Sequence, residues 1–191
     1  MYSIQGERIL LRDIQKGDWP SIHAYASQPI VSQYQAWGPN KEEDSLAFVE
    51  LAIKDAKKSP RTRYLFVAVE QTYGNVVGAG ELNITNLAHM NGEIGYVVHP
   101  DFWGKGYGTE VAKLLLHFAF ETIKLHRISA TCDPRNYASE SILKKVGMIY
   151  EGRLREDMQI KGGRRDSLLY GMLQREWNKT IHIVDAKGSY L

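Results

Sequence analysis

A single cysteine, Cys132, stands in 191 residues, so the chain can build no internal disulfide and no multi-cysteine zinc site. The six histidines, His23, His89, His99, His117, His126 and His182, include no pair at helical i, i+4 spacing and no HExxH, which removes the common metal signatures. No apolar stretch approaches the ~20 residues needed to cross a bilayer. Met1 to Leu11 also lacks the basic segment and apolar run of a secretory leader, because Glu7 and Arg8 interrupt it. Charge of one sign is scarce as well. The net charge of +2 gives no general attraction for nucleic acid, and Arg153, Arg155, Lys161, Arg164 and Arg165 read as a solvated basic hairpin. These absences describe a cytoplasmic protein with no metal, no membrane and no direct nucleic-acid partner.

What is present suits one globular domain: 43% hydrophobic and 24% charged residues are ordinary for a packed soluble fold. No repeat or Pro/Gly/Ser-rich linker divides the chain, so residues 1–175 read as one domain and 176–191 as a C-terminal tail without pattern. A strand is expected over Glu7 to Asp13. Asp18 then caps a helix whose first turn holds Pro20. Leu46, Val49, Ala52, Ile53 and Ala56 recur at helical spacing within Lys41 to Lys58. Tyr34, Trp37, Gly38 and Pro39 make an aromatic loop between the two helices, read as a pocket wall. Three β-branched stretches, Tyr64 to Val69, Val76 to Ile84 and Glu93 to Val98, are joined by short turns and form an antiparallel meander. Val111, Leu114, Leu115, Phe118 and Ala119 mark the buried face of a helix over Gly106 to Thr122. The strand Arg127 to Cys132 follows, and this β-α-β order requires a parallel pair inside a mixed sheet. A helix over Ala138 to Val146 and a hairpin of Met148 to Asp157 with Arg165 to Leu173 complete an α+β, mixed α/β pattern.

Chemistry is concentrated between the third meander strand and the long helix. Trp103-Gly104-Lys105-Gly106-Tyr107-Gly108-Thr109 places glycines at a helix start, where unpaired N–H groups and the helix dipole attract an anion. Three alternate glycines exceed what one turn needs, so they are assigned to close backbone approach by phosphate. A P-loop is excluded because Gly106 follows Lys105 where a Ser or Thr should hold magnesium. The dinucleotide fingerprint matches at Gly104 and Gly106, with Asp133 ending the next strand, but its third glycine is Thr109. It also belongs to the first strand of a parallel sheet, whereas here a long antiparallel pattern comes first.

The segment from Glu93 through Ile-Gly-Tyr-Val-Val-His-Pro-Asp-Phe-Trp-Gly-Lys-Gly-Tyr-Gly-Thr to Glu110 resembles the acetyl-CoA-binding segment of the GNAT superfamily. Asn136-Tyr-Ala-Ser139 through Gly147-Met resembles the second CoA-binding segment of the same family. Arg8-Ile-Leu-Leu-Arg12, Glu151-Gly-Arg-Leu-Arg155 and Arg165-Asp-Ser-Leu-Leu-Tyr170 are similar to the branch that acetylates ribosomal-protein N-termini at alanine or serine. This resemblance implies a GNAT fold with a central, twisted, mostly antiparallel sheet of about seven strands and about four helices. Two positions depart from the family pattern. Trp103 stands where Gln or Arg usually begins the first motif, and Leu143 stands where many relatives carry the tyrosine that protonates the leaving thiolate.

The resemblance also implies roles for individual residues. In the family the strand carrying Tyr96, Val97 and Val98 bulges and splays from the next, freeing amides for the pantetheine and the thioester carbonyl. Amides of Gly104, Lys105, Gly106, Tyr107, Gly108 and Thr109 would hold the pyrophosphate, and Asn136 the pantetheine arm. Lys105 or Lys144 would meet the outer phosphate. Ser139 would replace the missing tyrosine as acid. Glu93 is preferred as base over Glu81, Glu156 and Asp157. Tyr34, Trp37 and Glu81 would line the amine site, and Cys132 is a small buried residue rather than an acetyl carrier. The activity implied is acetyl transfer from acetyl-CoA to a primary amine, by a monomer or homodimer. A protein N-terminus, a polyamine or other small amine, and an antibiotic all remain open as acceptors. The rivals are a nicotinamide-dependent oxidoreductase and a non-catalytic acyl-CoA-binding or ribosome-binding module.

Overall fold

The computed structural model describes residues 1–177, so the expected tail, beyond its first two residues, lies outside the described residues. Eight strands form one sheet: β1 (Ser3–Gln5), β2 (Ile9–Asp13), β3 (Arg63–Glu70), β4 (Val76–Asn86), β5 (Asn91–Val98), β6 (Arg127–Cys132), β7 (Ile149–Ile160) and β8 (Gly163–Leu173). Their order is β1-β2-β3-β4-β5-β6-β8-β7. Every neighbouring pair is antiparallel except β5 with β6. The strand beyond the seven expected is β1, three residues at the sheet edge that carry no legible period. Among the described residues, five α-helices accompany the sheet before a further helical turn at 174–177: α1 (Trp19–Ala26), α2 (Pro29–Ser32), α3 (Glu42–Asp55), α4 (Tyr107–His117) and α5 (Tyr137–Lys145). The short α2, where Pro29 opens a single turn, accounts for the excess over four.

Both faces of the sheet are covered, which explains why β3 and β4 are apolar on successive residues rather than alternate ones. On one face Val111, Ala112, Leu115 and Leu116 of α4 pack with Phe66, Leu82, Ile94 and Ile128. On the other, Ile22 and Tyr25 of α1 and Val49 and Ala52 of α3 pack on Leu65, Val67 and Ala79. Each fully buried Leu or Ile contributes about 1.5–3 kcal/mol. The buried face of α3 runs through Ser45, Val49, Ala52 and Asp55; Val49 and Ala52 belong to the expected stripe, while its Leu46, Ile53 and Ala56 are half-buried at the edge of that face. Asp55 holds it there through ion pairs to Lys58 and Arg63.

Local chemistry departs from expectation in two further places. Asp18 does not cap α1 with its side chain. Its carboxylate is instead bound by the Arg12 guanidinium at 2.7 and 2.8 Å and by the Gln15 amide. The long helix does not stay regular to Thr122. It widens into a π-helical turn over Phe118–Thr122, closed by Ile123 N–H on the Phe118 carbonyl. That extra width lets three successive residues, Phe118, Ala119 and Phe120, all be buried. Phe118 meets the rings of Tyr64 and Phe66, while Phe120 stacks on Trp177, making Trp177 part of the core.

The face leading to the site depends on close backbone approach at Gly78. Val77 is an extra residue in β4 relative to β3, and a Cβ on the next residue, Gly78, would lie 2.1 Å from the Val97 carbonyl oxygen. Gly78→Ala is therefore expected to push β4 from β5 and to cost at least about 2 kcal/mol, read as a lower urea midpoint at unchanged m-value.

Candidate active site

The turn after β5 is built from backbone. Pro100–Phe102 forms a 3-10 turn, and the amides of Phe102 and Trp103 bond back to His99 and Pro100. From Gly104 to Thr109 no amide has a backbone acceptor among the described residues; Glu110 is the first to bond back, to the Gly106 carbonyl. Six successive donors at a helix N-terminus fit a diphosphate. Gly104 and Gly106 have φ of +73° and +85°, conformations that side-chain-bearing residues rarely adopt. Gly108 serves otherwise: its missing Cβ would meet the Ile142 side chain at 2.8 Å.

Three side chains missed by sequence reasoning hold this turn. Glu110 accepts from the backbone amides of Arg8 and Ile9 and from Arg8 Nε. Arg8 Nη1 donates to the Lys105 carbonyl at 2.9 Å, and its guanidinium lies 4.6 Å from the centre of the Tyr107 ring. Glu70 accepts a short hydrogen bond from the Tyr107 hydroxyl. Arg8 and Glu110 are 102 residues apart, so no local spacing could have linked them. Among the expected phosphate lysines, Lys144 is paired with Glu140 at 2.6 Å. Lys105 leans over the Phe102 ring.

Beyond the turn, β5 and β6 separate. They pair only at Asn91, Gly92 and Glu93 with Arg127, Ile128 and Ser129, while β5 stays paired to β4 as far as Val98. The splay is therefore present without a bulge at Tyr96 to Val98, since the irregularity in the β4–β5 pair lies at Ile84 and Asn86. His126 N–H bonds the Met90 carbonyl on the β6 side, and His99 N–H bonds Val77 on the β4 side. Strand alternation then directs the amides of Ile94, Tyr96 and Val98 into the opening. Val97 directs its amide at β4, so of Tyr96, Val97 and Val98 it offers only a side chain. Trp103 closes the end of the opening, its indole N–H donating to the Val98 carbonyl at 2.7 Å, and that donor is not available to a phosphate.

A small crevice of about 100 Å³ lies in the opening, bounded by Tyr34, Tyr96, Cys132, Asn136, Ser139 and Arg165 among others. Asn136 caps α5 by accepting from the Ser139 amide at 3.1 Å, which leaves its side-chain N–H groups for a ligand. The Tyr96 hydroxyl donates to the Ser139 carbonyl and lies 3.1 Å from Ser139 Oγ. Burial raises the Tyr96 phenol above its ordinary range, so it stays protonated beside Ser139. Burial, with Glu140 nearby, pushes the Cys132 thiol up to about 11, which leaves little thiolate for a covalent route.

On the opposite face of β5 a larger cleft of about 830 Å³ is bounded by α1, α3, the loop with Trp37 and the floor of β4 and β5. Trp37 and Glu81 line it, whereas Tyr34 faces the smaller crevice. Glu81 is bound by Arg63 at 2.7 Å and by Asn83, which suits it to structure more than to proton transfer. Glu93 differs. Burial raises its pKa most, the Glu81 and Asp157 carboxylates raise it further, and a weak hydrogen bond from Thr131 opposes them. Asp157 comes near because β7 and β8 lose register between Leu154 and Met158, with Glu156 at a φ of +50°.

Comparison with known proteins agrees with this geometry. The family model for the acetyltransferase (GNAT) domain matches residues 8–149. The uncharacterized N-acetyltransferase YnaD of Bacillus subtilis is 32% identical over 92% of this chain and 99% of its own. A crystal structure of a GNAT-family acetyltransferase from Bacillus anthracis superposes with a TM-score of 0.81 at 31% identity, covering 92% of this chain and all of the other. Spermidine N-acetyltransferase from Vibrio cholerae, solved with CoA and spermine, superposes at 0.78 with 24% identity, covering 90% and 98% of the two chains.

Glu93 yields a stability prediction with a definite sign. A carboxyl whose folded pKa is raised costs stability above that pKa, and the cost disappears as pH falls below the unfolded value near 4.5. Glu93→Gln is expected to raise the melting temperature at neutral pH, with the gain shrinking towards pH 4.5. An unchanged melting temperature across that range would show that the buried carboxylate carries no such cost.

Proposed function

The chain belongs to the GNAT family of N-acetyltransferases, and we propose that it moves the acetyl group of acetyl-CoA directly onto a protein N-terminal α-amine. The observation that carries this reading is that two donor sets flank one turn. Six amides at Gly104 to Thr109 lie on one side of the His99 to Trp103 turn, and the unpaired β5 edge, where the Tyr96 hydroxyl meets Ser139, lies on the other. Each part has a chemical task. The turn holds the diphosphate by its amides and the α4 dipole, with Arg8 and Glu110 fixing its shape. Asn136 and the Tyr96 and Val98 amides hold the pantetheine arm and polarise the thioester carbonyl.

On the other side of β5, Glu93 takes a proton from the incoming ammonium, directly or through water, so that the neutral amine attacks the carbonyl carbon. The C–N bond forms, the C–S bond breaks, Ser139 Oγ–H supplies the proton to the departing sulfur with Tyr96 orienting that hydroxyl, and the proton shed by the acylated nitrogen returns through water to Ser139 Oγ. An α-amine with a pKa near ~8 suits a base of this strength better than a lysine near ~10.4. The sequence resemblance to the ribosomal-protein branch favours the same acceptor.

Thermal unfolding with acetyl-CoA, with NAD and ATP as controls, tests the cofactor part. A ligand at 100 times its Kd stabilises by about 2.7 kcal/mol, and the shift should appear with acetyl-CoA alone and vanish in Gly106→Asp. Thiol release with peptides then tests the acceptor. A free N-terminus should be acetylated, and a blocked peptide carrying one lysine should not. Ser139→Ala is expected to lower kcat by about 10²-fold with the KM for acetyl-CoA unchanged. An acetyl-CoA shift without thiol release from any amine would favour a non-catalytic module, and a shift with NAD alone would favour the oxidoreductase.

A further inference from the structure

The larger cleft has a composition that selects among amines. Its floor is Ala79, Gly80 and Gly95, with the flank of Val97, and its walls carry Phe48 and Leu65. Apolar surface stands open at the rim, where Trp37 is 39% and Leu51 42% exposed. Gly95 matters most. It occupies the middle of β5 opposite Glu81, and a Cβ placed there would meet nothing within 4 Å. The backbone does not need glycine at this position, since its φ is ordinary. What the missing side chain leaves is room, two residues along the same strand face from Glu93.

Charge in the cleft is balanced. The charged residues that line it are Asp44, Arg63, Glu81 and Lys161, two of each sign. Glu81 is held by Arg63, and Asp44 accepts from the Lys41 amide at the start of α3. Each carboxylate is thus already engaged by a donor of the protein itself. From the β7–β8 hairpin, the Asp157 carboxylate acts on Glu93 through its charge and Lys161 adds a positive charge. A polycation such as a polyamine would leave its distal charges over an apolar floor, which is unfavourable.

From these observations, and resting on the acetyltransferase reading above, we infer that the acceptor is a single primary amine carried on an apolar body the size of an aromatic or branched side chain. The amine lies by Glu93, the apolar body over Gly95 and Ala79 beneath Trp37 and Phe48. For a protein acceptor this body is the side chain of the first residue or the next.

Three small amines separate the alternatives when acetyl-CoA is saturating and thiol release is measured. Because burying a ring in an apolar cleft favours binding by one to two powers of ten, kcat/KM for 2-phenylethylamine should exceed that for ethylamine by about 30-fold. Spermidine should do no better than ethylamine. Gly95→Val should lower kcat/KM for 2-phenylethylamine at least about tenfold more than it lowers that for ethylamine, with the acetyl-CoA thermal shift retained as the check on folding. Spermidine preferred over 2-phenylethylamine, or a ring that adds nothing, would overturn the inference while acetylation itself stands. If acetyl-CoA binds but no amine turns over, calorimetric titration of 2-phenylethylamine into the CoA-loaded protein decides. Binding weakened by Gly95→Val supports the inference, and no binding overturns it. Loss of the acetyl-CoA shift itself would instead sink the underlying acetyltransferase reading.

Discussion

The structure depends on one interrupted pairing. β5 and β6 run parallel for three residue pairs and then part, although each stays paired along its other edge, β5 to β4 and β6 to β8. Unpaired strand amides inside a protein are costly unless something satisfies them. Here they line a crevice reached by Asn136, Ser139 and Tyr96. α5 helps keep the gap, because its first turn is tied to β5 through the Tyr96 hydroxyl. Its Ile142 side chain lies close over Gly108 of α4. Closing the two strands would satisfy the backbone and abolish the site.

A strand with both faces in use also divides the labour. Ile94, Tyr96 and Val98 point towards the α4 and α5 side, where the first two lie against a dense core. Gly95 and Val97 point the other way, towards a cleft whose floor is kept low by small residues, with Glu93 next along the same strand face. The acid and base assigned here therefore sit on opposite sides of one backbone, across the place where a thioester would lie. Burial serves both. It keeps the Tyr96 phenol protonated and raises Glu93 towards the range in which a carboxylate accepts a proton more readily.

The glycines illustrate how one residue type serves unrelated physical needs. Gly104 and Gly106 provide left-handed backbone for the turn, Gly78 lets the Val97 carbonyl approach, Gly108 admits Ile142, and Gly95 leaves open space. A motif that looks like one device is thus several. The surrounding charges behave similarly: Lys144 and Glu81, both plausible as ligands from their positions in sequence, are engaged by Glu140 and Arg63.

Much was legible in the sequence because its causes are local. The period of Val111, Leu114, Leu115, Phe118 and Ala119 marked the inner face of α4 and of the π-helical turn after it, where only Leu114 stays half-buried, and the β-α-β order required the parallel pair that the sheet contains. The glycine turn announced an anion site through dihedral and dipole effects confined to a few residues, and the two linked motifs identified the family. The tertiary structure decided what depends on distant residues meeting. It placed Arg8 and Glu110 under the turn and divided Tyr34 from Trp37. It also paired Glu81 with Arg63, and it brought Asp157 to Glu93 through a break in the β7–β8 register. Local sequence specifies backbone preference and burial pattern, but the charge state and accessibility of a side chain are set by neighbours from across the chain. That is why the cofactor turn could be read early, and why the base and the character of the acceptor cleft had to wait for the fold.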